Sequence, residues 1–408
     1  MKYKSFVTTL ILILITFMLN SCNLCENDEI ENPLPRDLSI TEQKLVSADN
    51  IFGLRLFTAL HTAKPTSNLF ISPLSVSMAL GMTLNGANGD TYEAMKNTLE
   101  LHGLSETEIN ESYRDLINLL INLDEQVIFN IANSIWYRND FVVEQSFIDV
   151  NKEYFDAEVQ SLDFSNPSSL TIINNWVDEK TNGLIDKILE ENIPAEIVMY
   201  LINAIYFKGI WTSEFDKKDT KTEPFYNYDK TTSNILLMHQ EEDFLYVEND
   251  QFQTIDLMYG DSLYSMVILL PKMGVDINDF VATFDENTLP EQFYSNEINL
   301  YLPKFELEWK SSLNDVLKSL GMEIAFNTAL ADFTRINSSG NLFIDDVLHK
   351  TFIKVDEEGT EAAAVTSIGI GLTSMPQTID FRVDRPFVFL IREKHSGTIL
   401  FIGKVLDL

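Results

Sequence analysis

The stretch Phe352 to Met375 reads FIKVDEEGTEAAAVTSIGIGLTSM. Phe352, Ile353 and Val355 point to a strand, and Asp356-Glu357-Glu358-Gly359 closes it, with Gly359 free to take a positive φ. From Thr360 the side chains alternate. One face carries Thr360, Ala362, Ala364, Thr366, Ile368, Ile370 and Leu372; the other carries Glu361, Ala363, Val365, Ser367, Gly369, Gly371 and Thr373. The first face is small and then apolar, the second small or polar, which is the period-2 pattern of a strand with one buried face. Gly369 and Gly371 weaken a permanent strand, and no proline blocks pairing before Pro376. The residues alone fit either a strand or an exposed loop.

Outward from this stretch, the C-terminal DRPFVFLIREKHSGTILFIGKV (residues 384–405) reads as a buried hairpin with Ser396-Gly397 as a tight two-residue turn. On the other side lie the Leu302-Pro303-Lys304, Leu320-Gly321-Met322 and Ala331-Asp332-Phe333 segments. DSLYSMVILLPK (261–272) is a central strand closed by a proline, and LINAIYFKGIWTSEFD (201–216) a strand and turn. IINNWVDEKTNGLIDKIL (172–189) reads as a helix, QVIFNIANSIWY (126–137) as a buried strand, and 99–123 as amphipathic helix. In NLFISPLSVSMALGMTLNGANGDTYEAM (68–95), Ser72 before Pro73 is a helix start and Gly86 and Gly89 mark its end. Ile51, Leu54, Phe57 and Leu60 have helical spacing, and the folded body begins near Ser39.

VDEEGTEAAAVT resembles the reactive-loop hinge of the serpins, and the segments above resemble serpin blocks in family order from about residue 45 to the end. The resemblance implies an α+β serpin fold of about nine helices around three β-sheets, with an exposed reactive-centre loop. It implies no enzyme, but a suicide substrate: a protease attacks the loop, forms an acyl-enzyme, and is trapped when the freed loop inserts as a new strand in the central sheet. The implied hinge is Glu357, Glu358, Gly359, Thr360, Glu361, Ala362, Ala363 and Ala364. Ser72, Ser75, Asn203 and His349 match the buried polar "shutter" beneath the sheet opening; Trp211, Lys304 and Glu357 match the "breach" where insertion starts, with Lys304 and Glu357 paired by charge. Counting from Gly359 places the reactive bond at Thr373-Ser374, with Leu372 and Met375 as alternatives. None of these is basic, so the expected target is an elastase-, chymotrypsin- or subtilisin-like endopeptidase, with papain-like cysteine proteases also open. The rival within the family is a non-inhibitory binding or chaperone protein; its members often carry bulky or charged hinge residues, which the face from Thr360 to Thr366 lacks.

Met1 to Leu19 opens with Lys2 and Lys4 and continues with an apolar run too short for a membrane span, ending in Leu19-Asn20-Ser21-Cys22. That ending resembles a bacterial lipobox. The resemblance implies a signal peptide over 1–21, lipidation of Cys22, and an outer-membrane lipoprotein that is periplasmic or surface-exposed. Residues 22–44, acidic and proline-bearing, read as a flexible tether before a serpin domain over 45–408. A redox or metal reading of Cys22 and Cys25 lacks a βαβ context and a second ligand pair.

The remaining numbers exclude classes. A formal net charge of -33 repels nucleic acid and anionic headgroups. With both cysteines near the N-terminus, the body uses neither disulfides nor thiol chemistry. No G-x-S-x-G, H-E-x-x-H or phosphate-cradling loop appears, and His61, His102, His239, His349 and His395 lack metal-ligand spacing. No catalytic residue, metal or cofactor is therefore expected, and the expected partner is the target endopeptidase, met by a monomer. A hydrolase using Ser72 or Ser75 with His349 is the rival from another class.

Overall fold

Ser39 and Glu42 supply both halves of a capping box, and the chain turns helical there: the Ser39 hydroxyl accepts the Glu42 N–H, while the Glu42 carboxylate accepts the Ser39 N–H at 2.7 Å. The computed structural model describes residues 35–360, except 122, 191, 192 and 291, together with 378–408. Contacts divide the chain into two units, Met1–Asp37 and Leu38–Leu408; of the first only residues 35–37 are described. Helix α1 (Ile40–Ala63) thus begins inside the segment that composition marks as a tether, because the cap residues fall at its end. Its inward face buries Leu45, Phe52, Leu56 and Phe57.

The chain continues through β1 (Leu69–Ile71), α2 (Pro73–Leu84), α3 (Gly89–Thr98), α4 (Glu106–Leu120), β2 (Val127–Arg138), α5 (Gln145–Phe155), β3 (Glu158–Leu162) and α6 (Pro167–Lys180). Then come β4 (Met199–Ile210), β5 (Lys221–Tyr226), β6 (Thr232–Glu248), β7 (Phe252–Tyr259), β8 (Tyr264–Pro271), α7 (Ile277–Ala282), β9 (Tyr294–Pro303) and β10 (Phe305–Ser312). A short α8 (Asn314–Leu317), β11 (Leu348–Asp356), β12 (Gly359–Thr360), β13 (Ile379–Arg382), β14 (Phe387–Glu393) and β15 (Ile399–Val405) complete it.

The α+β class read from the sequence is the one observed, with eight α-helices among the described residues. Their strands form two hydrogen-bonded sheets rather than three. The six-stranded sheet has the order β10-β11-β12-β4-β2-β3; the other runs β1-β15-β14-β8-β7-β6-β9-β13, with β5 on β6. The merger has a simple cause. Strand β6 is 17 residues long and pairs β5 and β9 along most of its length, then β7 over Leu245–Glu248. One continuous strand therefore joins what shorter strands would leave as separate sheets.

Two local expectations change. The helix read over 172–189 ends at Lys180, because Asn182 and Gly183 take left-handed φ of 53° and 84° and turn the chain away. The last hairpin is not closed by a two-residue turn. Its strands separate at Glu393, whose buried carboxylate accepts the backbone N–H groups of His395 and Ser396 and so organises a wider loop before Thr398. Strands β8 and β15 are buried at every position and form the middle of the core. Lys404 is buried with them; its ammonium reaches His61 Nδ1 at 3.0 Å and the carbonyls of Pro65 at 3.0 Å and Lys64 at 3.4 Å, which offsets the desolvation of a lone cation.

Candidate functional site

Strand β11 delivers the chain to a turn at Asp356, whose carboxylate accepts the Glu358 N–H at 3.1 Å. The turn sends Gly359 and Thr360 back antiparallel, between β11 and β4. Thr360 stands opposite Val355 on one side and Gly209 on the other; Gly359 stands opposite Asp356 and Ile210. Only glycine fits at 359: its φ is 148°, and a Cβ there would lie 2.1 Å from the Gly209 carbonyl oxygen. Thr360, the first residue of the inward-facing series read from the sequence, is 3% exposed.

The expected breach residues converge on this turn. Trp211 donates its indole N–H to the Asp356 carbonyl at 3.0 Å and its backbone N–H to that of Glu358 at 3.0 Å. Glu357, 5% exposed, accepts from Lys304 at 2.6 Å and from the Thr220 hydroxyl at 2.8 Å. Burial pushes the Glu357 carboxyl up, but hydrogen bonds from Lys304, its own backbone and Thr220 outweigh it and hold the group below its ordinary range. Glu358 pairs with the exposed Lys217. The Trp211 ring stacks on Tyr259 of β7, with centroids 4.4 Å apart and planes at 11°.

Beyond Thr360, β4 and β11 share no ladder of their own among the described residues; β12 is what joins them. The two strands instead flank a cavity of about 550 Å³, lined by Leu201, Asn203 and Ile205 from one side and His349, Thr351 and Ile353 from the other.

Ser72, Ser75 and His349 meet at the floor of this cavity. Ser72 caps α2, its hydroxyl accepting the Ser75 N–H at 3.3 Å and donating to the Leu400 carbonyl at 2.7 Å. Its backbone N–H donates to His349 Nε2 at 3.0 Å. Asn203 is bonded elsewhere: its amide donates to Asn133, its cross-strand partner on β2, at 2.8 Å, and its buried Oδ1 has no hydrogen-bond partner. The four residues expected to form a shutter thus fall into two hydrogen-bonded groups rather than one network. This geometry also speaks against a serine hydrolase at Ser72. The hydroxyl proton is committed to Leu400, and the imidazole faces a backbone N–H, so no nucleophile–base hydrogen bond forms.

Burial pushes the His349 imidazole down to about 4 from 6.5. The unfolded chain therefore binds one more proton between those values, and stability present above pH 6.5 is lost as pH falls toward 4. The loss is roughly 3 kcal/mol. Relative to His349→Gln, the melting temperature of uncut wild-type protein is expected to drop as pH falls across that window. The buried Asp49 carboxyl, pushed up to about 7, slopes the other way in both proteins, so the difference between the two melting curves isolates His349.

Sequence reading missed Asn133, Thr220 and Tyr259. Asn133 carried only a weak signal, one of several polar residues (Asn130 and Ser134 among them) in the largely apolar β2; Tyr259 carried none, since an aromatic at a strand end is ordinary core. The expected hinge residues Glu361, Ala362, Ala363 and Ala364, the bond at Thr373-Ser374 with Leu372 and Met375, and Cys22 lie outside the described residues.

Two sheets, the helices packed with them and the short strand Gly359–Thr360 seated between β11 and β4 define the class, an α+β protein. A family model described as "Serpin (serine protease inhibitor)" matches residues 47–408. The human leukocyte elastase inhibitor is 33% identical over 377 residues, 89% of this chain and 99% of that protein. A serpin-like protein of Thermococcus kodakarensis is 35% identical over 375 residues, 90% of this chain and 86% of that one. The crystal structure of tengpin, a thermophilic serpin in its native state, superposes with a TM-score of 0.81 at 34% identity, covering 91% of this chain and 96% of that one. The chain belongs to the serpin family.

Proposed function

We propose that this protein inhibits serine endopeptidases as a suicide substrate, with cysteine endopeptidases as a further target class. The observation that carries the reading is the position of Gly359 and Thr360 between two strands that share no ladder of their own. Carried onward after cleavage, the same two registers would set Thr366 level with both Asn203 and His349. There its hydroxyl would meet the unpartnered Asn203 Oδ1. Insertion would bury the alternating face that begins at Thr360 and pair backbone groups on both sides.

The protease would attack after Thr373, giving an acyl-enzyme at that carbonyl and freeing Ser374 as the new amino terminus. The bond carries no cation for a trypsin-like pocket, so the target is elastase-, chymotrypsin- or subtilisin-like. The test is incubation with a panel of such proteases and mass spectrometry of the released C-terminal fragment. A single fragment starting between residues 373 and 376 is expected. Cleavage by trypsin alone, or at scattered sites, would overturn the assignment. A non-inhibitory binding role, the alternative, would give cut protein without a stable complex.

The location of the protein is part of the same proposal. Cleavage before Cys22 and lipidation of its thiol would anchor a bacterial outer-membrane lipoprotein, periplasmic or surface-exposed, on the acidic tether that follows. Cys22→Ala is expected to move the protein from the membrane fraction to the soluble one. A variant that stays with the membrane would contradict the anchor.

A further inference from the structure

We propose that Tyr259 is a positioning residue for loop insertion: its hydroxyl holds Thr360 in the sheet before any protease acts. The consequence for inhibition rests on the inhibitor reading above; the contact itself does not. Tyr259 belongs to β7, in the other sheet, and its ring is fully buried. The ring is fixed on three sides. It stacks on Trp211 at 4.4 Å and meets Phe207 edge-on at 5.1 Å. On the third side it lies over Gly209, where a Cβ would come within 2.7 Å of a ring carbon. A ring held this way fixes its hydroxyl in space, and that hydroxyl lies 2.7 Å from Thr360 Oγ1. Burial pushes the phenol far above its ordinary range, so the bond is one between two neutral hydroxyls at any working pH.

The placement matters because insertion races deacylation. A hinge end already seated between β11 and β4 removes the nucleating step, and each later residue then adds beside a formed pair. Thr360 is therefore read for its hydroxyl as well as for its size. A hydroxyl at 360 is kept by serine and lost in valine, which has the same shape.

The test uses the full-length protein with Tyr259→Phe and Thr360→Val, singly and together, and Thr360→Ser as the conservative control. The readout is the number of inhibitor molecules cut per covalent complex formed. Each single variant is expected to raise it about fivefold, as for one lost buried hydrogen bond. The double variant should rise no further, Thr360→Ser should stay near wild type, and the initial rate of loop cleavage should not change. Wild-type partitioning in both singles, or a double variant equal to the product of the singles, would overturn the proposal. If wild-type protein forms no complex with any protease of the panel, the inhibitor reading falls. The same cycle is then read on amide exchange at Gly359 and Thr360 in uncut protein. Loss of protection that is non-additive between the two sites supports the seat; unchanged protection overturns it.

Discussion

Cutting the chain between Ile368 and Met375 is expected to raise its melting temperature. For most proteins a nick lowers stability, because the new ends gain entropy. Here the cut frees a strand for the space between β4 and β11, which share no ladder of their own among the described residues. Burying Ile368, Ile370 and Leu372 contributes roughly 5–9 kcal/mol. Each new backbone hydrogen bond adds about 1 kcal/mol net, and ordering each residue costs about 1–2 kcal/mol. A net gain on the order of 10 kcal/mol shifts the melting temperature of a body this size by on the order of 10 °C or more. Gly369 and Gly371 raise the ordering cost, so insertion is expected to slow near them. The comparison is a thermal melt of intact protein beside the same protein nicked by an elastase-like enzyme. An unchanged or lower value would leave the fold without the trap.

Thr360→Arg is expected to turn the inhibitor into a substrate. Thr360 is 3% exposed, and its side chain faces the Tyr259 hydroxyl between the two strands. A guanidinium forced into that position loses its water without a designed partner, at a cost of several kcal/mol. Insertion slows while deacylation does not, so covalent complex is expected to fall by about tenfold or more, one decade for each 1.4 kcal/mol added to the insertion barrier. Cut inhibitor accumulates instead, and the rate of loop cleavage stays near wild type. Complex at wild-type yield would show that residue 360 does not enter the sheet during trapping.

Much of this was legible in the chain itself. The alternation from Thr360 assigned an inward face, and the burial of Thr360 agrees with it. Ser72 before Pro73 announced a helix start through capping chemistry that needs only neighbours in sequence, whereas the Ser39–Glu42 capping box, equally local, went unread. The charge pair of Lys304 with Glu357 followed from family resemblance, and the two groups lie 2.6 Å apart. What stayed hidden depends on long-range placement. Nothing local says that Asn203 will face Asn133 rather than His349, because that choice is set by the β2–β4 register. Tyr259 reads as core until the sheets are assembled and its hydroxyl meets Thr360. The continuity of β6, which joins the strands into two sheets, is likewise a property of pairing and not of its own residues.

The most direct measurement is a denaturing gel of the protein mixed with an elastase-like serine protease, sampled over time. A band at the combined mass of inhibitor and protease, resistant to heat and detergent and yielding an ester between the protease serine and Thr373 on mass spectrometry, is the expected result. Complete conversion to cut protein with fully active protease, across elastase-, chymotrypsin- and subtilisin-like enzymes, would contradict it.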